Sequence, residues 1–199
     1  MREVSAARRA TEDDLPDAAG ALADAFRGDA WMHWVVDAED HPRRVRALYA
    51  LLLGELVLPF GELWMTTDGQ AAASWTDSTR APDPDALARV AVRAGTLAGA
   101  CAARAAWADA AVAEHHPDDA HWYLGAVGVR PGHQGAGRGT LVLEPVLERC
   151  DRDGRLAVLE TSSARSVPFY ERLGFGVHAE LDAPGGGPHL WLMRRPCQG

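Results

Sequence analysis

The stretch that most narrows the choice of fold is residues 127–140, Val-Gly-Val-Arg-Pro-Gly-His-Gln-Gly-Ala-Gly-Arg-Gly-Thr. An apolar strand end runs through closely spaced glycines straight into a segment with helical periodicity, so a strand must hand over directly to a helix. Glycine lets backbone approach a ligand, and the free amides at a helix start make an anion site. The helix dipole contributes only ~0.3–1 kcal/mol in ordinary settings, so several convergent N–H donors must supply most of the grip. Arg130, His133 and Arg138 add local positive character. Such a loop suits a pyrophosphate.

Composition removes some owners of that loop. The chain of 199 residues has a net charge of −8, and all twenty basic residues are arginine; lysine, isoleucine and asparagine are absent. A phosphate loop of the GxxxxGK[ST] type, a Schiff-base lysine and an Asn-x-Ser/Thr glycosylation site are therefore excluded. A dinucleotide-binding reading stays open: Gly135, Gly137 and Thr140 approximate GxGxxG, and Glu160 lies about twenty residues on, where a ribose-binding acid belongs. Against it, the loop comes so late that little chain is left for the usual two-half sheet. A tight turn without ligand is the third reading, at a cost in backbone entropy. The acidic balance argues against a nucleic-acid partner. Cys101, Cys150 and Cys197 show no CxxC spacing, which fits a reducing compartment. The first five residues lack the apolar core of a secretion signal, and no apolar run is read as approaching the ~18 residues of a membrane span. The expected address is the cytoplasm, with no membrane partner.

Along the chain, Thr11-Glu12-Asp13-Asp14 predicts a helix start, with Leu15, Ala18, Leu22 and Phe26 along one stripe. An aromatic segment covers 31–36, and a further helix opens at Pro42 and stops at Pro59. Asp68-Gly69 between two alternating runs predicts a two-residue type I′ hairpin over 62–76. A long Ala-rich helix is expected over 85–113, broken near Gly95 or Gly99. Then follow a strand (122–129), a helix (138–152), a strand (155–161), a short helix (167–173) and strands over 176–181 and 189–193. Helices alternating with strands, at this length and with 47% hydrophobic residues, predict a single α/β or α+β domain. His115, His116 and His121 are read as surface-loop residues, since no Cys or carboxylate pattern completes a metal site.

Two motifs carry a resemblance. V-x-V-x-P-x-x-Q-x-x-G-x-G, formed by Val127, Val129, Pro131, Gln134, Gly137 and Gly139, resembles the acetyl-CoA-binding motif of the GCN5-related N-acetyltransferase (GNAT) superfamily. Phe169-Tyr-Glu-Arg-Leu-Gly-Phe175 is similar to that superfamily's late signature. The likeness covers roughly residues 121–195. A narrower one, carried by Leu159-Glu-Thr161, the 168–175 segment and the hairpin ending in Trp75, is to the puromycin-acetylating branch.

The resemblance implies a mixed, mostly antiparallel sheet with two splayed parallel strands and helices on both faces. Residues 1–120 would form the acceptor side and 121–195 the acetyl-CoA-binding core. It implies transfer of acetyl from acetyl-CoA, without a metal, to a primary amine of a small molecule, such as a puromycin-like antibiotic, in a monomer or homodimer. Val127, Gly128 and Val129 would offer backbone groups to the thioester. His133, Gln134, Gly135, Ala136, Gly137, Arg138, Gly139 and Thr140 would hold the pyrophosphate, and Ser163 would touch the pantetheine arm in place of the asparagine of many relatives. Tyr170 is the candidate general acid and Glu160, or water, the base. Trp31, Trp34 and Trp75 are candidate acceptor walls by stacking or cation–π contact. A non-catalytic acyl-CoA sensor and a nucleotide-dependent oxidoreductase remain as alternatives.

Overall fold

Strand pairing fixes the architecture. The computed structural model describes residues 5–198; segment 1–4, most of the stretch read for a secretion signal, lies outside the described residues. Seven strands form one sheet: β1 (Ala7–Arg9), β2 (Gly61–Thr66), β3 (Ala71–Asp77), β4 (His121–Val129), β5 (Leu156–Thr161), β6 (Gly176–Asp182) and β7 (His189–Arg195), in the order β1-β2-β3-β4-β5-β7-β6. Among the described residues β4 and β5 run parallel and every other neighbouring pair is antiparallel. This is the mixed sheet the resemblance implies, and it crosses the 120/121 boundary without interruption. The parallel half-sheets of a doubly wound dinucleotide fold are not present in it.

Each strand sends alternate side chains to opposite faces. Ala71, Ala73 and Trp75 of β3 meet Trp122, Leu124, Leu159 and Met193 under α7 (Arg138–Asp153), whose Val142, Leu143, Val146 and Cys150 are wholly buried. Leu63, Met65, Ala72 and Ala126 face the other way, against α1 (Leu15–Ala25), α2 (Ala30–Val35) and α3 (His41–Leu52). α3 continues through a π turn (Leu53–Val57) into the short α4 (Leu58–Phe60), so Pro59 falls within the final turn. Ahead of α1 a helical turn starts at the predicted Thr11, where the Thr11 N–H donates to the Asp14 carboxylate (2.9 Å). Arg8 grips the same carboxylate (2.7 and 2.6 Å) and holds it well below the usual range.

Three local expectations change. Asp68 does not take a positive φ, so the hairpin is not type I′; Gly69 alone is left-handed (φ 68°), and its N–H returns to the Thr66 carbonyl (2.9 Å). The Ala-rich run Pro84–Ala113 is, by length and composition alone, long and apolar enough to cross a membrane, which corrects the reading that no such run exists. In the fold it is bent at Gly99 (φ 62°) into α5 (Pro84–Ala98) and α6 (Ala102–Ala113), which pack on each other and on α3 and α2. Asp37 pins the bend by accepting the Ala100 N–H (3.0 Å), and Arg44 caps the Thr96 and Leu97 carbonyls (3.2 and 3.1 Å). The third is β1, too short to show an alternation in the sequence. It is recruited by antiparallel pairing with β2.

α1 sits close to the sheet at Gly128, where an added Cβ would lie 2.7 Å from the Ala25 Cβ and 3.1 Å from Leu22. Replacing Gly128 by alanine should destabilise the fold by about 1–3 kcal/mol in urea unfolding, because a methyl group must be forced into filled space. The same change at Gly28, where the added Cβ meets nothing within 4 Å, should cost far less.

Candidate active site

The site begins where β4 and β5 part. They pair at His121↔Leu156, Trp122↔Ala157 and Tyr123↔Val158, and no further. Beyond Tyr123, β4 stays with β3 while β5 stays with β7, leaving a wedge between them. A bulge at the start of the wedge inserts Gly125 between the partners of Ser74 and Trp75 and flips the alternation. Trp122 and Leu124 face α7, whereas Ala126 and Gly128 face α1. The Arg130 N–H bonds the Gln70 carbonyl across β3 (2.8 Å), so by alternation the Val127 and Val129 N–H groups point into the wedge. The Val129 carbonyl shares that side and accepts from Gln134 Nε2 (3.2 Å).

Past Val129 the chain turns through Gly132, Gly135 and Gly137, all at positive φ (83°, 75° and 75°). The first intrahelical bond of α7 runs from the Leu141 N–H to the Gly137 carbonyl (3.0 Å), so the amides of Arg138, Gly139 and Thr140 have no helical acceptor. Residues 131–137 are exposed, so the turn is not occluded by its own side chains. The charge attributed to this loop is corrected, however. Arg138 is tied to Asp68 (3.0 and 2.8 Å) and Arg130 to Asp24, so both guanidiniums are neutralised within the protein. The cleft over the turn therefore offers an anion the backbone amides and the Arg172 guanidinium that lines it.

Three clefts meet along the wedge. One of about 430 Å³ lies between the splayed strands, lined by Phe26, Trp31, Tyr49, Val127, Gly128, Val129, Gln134, Glu160, Ser163 and Tyr170. A second, about 440 Å³, continues it over the turn past Gly135, Gly137, Arg138, Gly139, Thr140, Phe169 and Tyr170. A third, about 410 Å³, opens beneath α3, α5 and α6 and shares Trp31, Met32, Tyr49, Gly125 and Glu160 with the first. Tyr170 thus borders the turn and the wedge, and Glu160 borders the wedge and the helix-walled cleft.

Burial sets the electrostatics. The Tyr123 hydroxyl donates to Glu160 Oε1 at 2.5 Å. Burial pushes the Glu160 carboxyl up to about 7, aided by the charge of Asp109 and opposed by that hydrogen bond. The Tyr123 phenol is raised well above its ordinary value by burial and by the Glu160 charge, and Tyr170 (in α8, Val167–Glu171) is raised by the same two causes. Both phenols stay protonated at neutral pH. The His116 ring lies 4.8 Å from that of Tyr123; burial, then His121 and Arg194, push its pKa down to about 4, so it is neutral.

Most residues singled out from the sequence converge here, with clear exceptions. His133 and Ala136 are exposed on the turn but line none of the three clefts. Trp75 is fully buried: it shares the β3 parity of Ala71 and Ala73, so it faces α7 and cannot wall an acceptor. Trp34 is core as well, edge-on to Trp107 at 5.8 Å; its neighbour Trp31 points into the clefts. His116 and His121 are not surface-loop residues, since His116 lines the third cleft and His121 is the buried first residue of β4. Glu160 bonds Tyr123 inside the wedge and does not stand where a ribose-binding acid would. Among the described residues no group of three or more His, Cys, Asp or Glu is arranged to hold a metal. Sequence reasoning missed Tyr123, Tyr49 and Asp109. Tyr123 and Glu160 meet because Tyr123 pairs with Val158, two residues before Glu160 on the same face, and only the strand register reveals that.

Comparison with known proteins agrees with this geometry. The model of the acetyltransferase (GNAT) family matches residues 45–175, and the chain belongs to that family. An uncharacterized N-acetyltransferase of Schizosaccharomyces pombe is 41% identical over 58 residues, 29% of this chain; the match spans 24% of that relative's length. Among solved structures, a Corynebacterium glutamicum protein named as histone acetyltransferase HPA2 and related acetyltransferase superposes with a TM-score of 0.74 at 24% identity, covering 99% of this chain and 98% of its own. The Drosophila melanogaster polyamine N-acetyltransferase, which forms N-acetylagmatine, gives 0.60 at 16% identity over 97% and 100%. The Escherichia coli ribosomal-protein-S18-alanine N-acetyltransferase gives 0.55 at 16% over 98% and 96%. At these identities the superpositions establish the fold.

If the Tyr123 hydroxyl stabilises the Glu160 carboxylate, Tyr123→Phe should raise the Glu160 midpoint above the wild-type value of about 7. A carboxyl-carbon NMR titration of wild type and variant measures both; a wild-type midpoint in the ordinary carboxylate range would contradict the burial described.

Proposed function

We propose that the protein transfers acetyl from acetyl-CoA to a primary amine of a small molecule, by direct attack with both substrates bound. The observation that carries this reading is the continuity of the three clefts, with an anion-accepting turn at one end, Tyr170 and Glu160 flanking the wedge, and a separate helix-walled cleft beyond Glu160. The residues present suit acetyl-CoA: the amides of 138–140 and the positive-φ glycines face a diphosphate, and Val127, Val129, Ser163 and Ser166 offer polar groups along the wedge. Acetyl-CoA, when bound, supplies an acetyl group activated as a thioester.

The chain's own residues then divide the work. The inward N–H groups of Val127 and Val129 stabilise negative charge developing on the thioester oxygen; one such donor elsewhere is worth about 2.7–4 kcal/mol. Glu160, titrating about 7, accepts the proton the amine loses as its nitrogen bonds the acetyl carbon. Tyr170, protonated at neutral pH, gives a proton to the departing sulfur. Tyr123 positions the Glu160 carboxylate and reaches neither reacting atom. A puromycin-like antibiotic amine is the acceptor suggested by the narrower sequence likeness, and the cytoplasm the setting in which acetyl-CoA would be met.

Calorimetric titration with acetyl-CoA should show saturable binding, and thiol release should follow addition of an acceptor from an amine panel that includes puromycin. Tyr170→Phe should lower turnover by about 10²–10⁴-fold while leaving acetyl-CoA affinity within a factor of a few. Glu160→Gln should abolish the fall in rate below pH ~7 that protonation of the base imposes on the wild type. Binding without thiol release across the panel would make the chain an acyl-CoA sensor, and absence of binding would overturn the assignment.

A further inference from the structure

The helix-walled cleft says more about the acceptor than the family does. Its volume of about 410 Å³ lies in the range of small-molecule sites, and its polar groups are unevenly distributed. Among the described residues the carboxylates lining it are Glu160 and Asp109. Asp109 on α6 lines the same cleft as Glu160 and Tyr123, and its charge raises the pKa of both. Asp109 is solvent-accessible, and partial desolvation raises its carboxyl above the ordinary value. Away from Glu160 and Asp109 the wall is Ala94, Ala98 and Ala102, with Leu48 and Leu52 from α3. The methyl side chains leave the space open, since a larger residue at one of these lining positions would enter it. An ammonium group lodged there would find no anionic partner, and an unpaired buried charge is strongly disfavoured.

Resting on the acetyl-transfer reading, we infer that the acceptor is a primary monoamine with an apolar body: its nitrogen sits at Glu160, and its body lies along the alanine wall between α3, α5 and α6. A polyamine or guanidino amine presents a second cation to that wall and is selected against. Asp109 guides the protonated amine toward Glu160; the ammonium first loses one proton to solvent, and Glu160 accepts the second as the nitrogen bonds the acetyl carbon.

The test compares n-hexylamine and phenethylamine with spermidine and agmatine, by thiol release at saturating acetyl-CoA and by calorimetric binding to the protein alone. The monoamines should exceed the dications in kcat/KM by at least tenfold; a preference for the dications overturns the inference and leaves acetyl transfer standing. Monoamine binding with no thiol release from any amine overturns acetyl transfer and supports the assignment of the cleft. Ala94→Leu should raise KM for n-hexylamine about tenfold and leave ethylamine within twofold, with acetyl-CoA affinity unchanged as the sign of an intact fold. Equal effects on the long and short amines would place the body elsewhere and overturn the inference. Leu48→Ala, which opens the α3 wall, should extend the preferred chain length, and an unchanged preference counts against the inference in the same way.

Discussion

Three residue pairs join β4 to β5, and the site exists because the fourth does not form. A backbone polar group deprived of its strand partner needs another, and a stretch of sheet edge with none is costly unless water or a ligand supplies it. The wedge concentrates several such groups in one place, in the middle of an otherwise continuous sheet. Gly125 makes this tolerable: as the extra residue of the bulge it lets β4 follow β3 while turning away from β5. The strand that parts from β5 then delivers the glycine turn to the start of α7, so divergence, turn and helix start are one continuous piece of chain.

The sheet around the wedge is kept rigid by packing on both faces and by arginine pairs along its margins. Arg155, immediately before β5, reaches Asp77 at the end of β3, bridging the strands on either side of β4. Arg195 holds Asp151 of α7 through two bonds (2.6 and 2.7 Å) and also donates to the Leu173 carbonyl (2.7 Å), tying α7 to the segment after Tyr170. The buried Glu62 is met by Arg149 and Arg9. Guanidinium groups suit these positions because a planar fork satisfies several acceptors at once. The phenols and carboxylate of the wedge lie within this frame, and their perturbed titration follows from burial among fixed neighbours.

Much of this was legible in the sequence, and the parts that were not share a cause. Element identity came through because it is local: the capping residues at Thr11, the period of α7 and the glycines of 132–139 each declare themselves within a few residues. The glycine turn was readable for the same reason. Across the wedge Glu160 was readable but its partner Tyr123 was not, since the two are brought together by register between strands distant in sequence. Trp75 shows the same limit from the other side: its residue type suits a binding wall, but one step of strand parity sends it into the core. The bend at Gly99 was readable as a glycine in a helical run, yet the direction of the fold-back depends on Asp37 and Arg44, which belong to other elements.

The pairing of Arg138 with Asp68 and Arg130 with Asp24 bears on how such a chain can drift. With both guanidiniums occupied internally, what the turn itself presents is main-chain geometry, which every residue type shares and only the glycines constrain. A chain that uses arginine and lacks lysine, isoleucine and asparagine can then change most of its side chains without disturbing the shape of this turn.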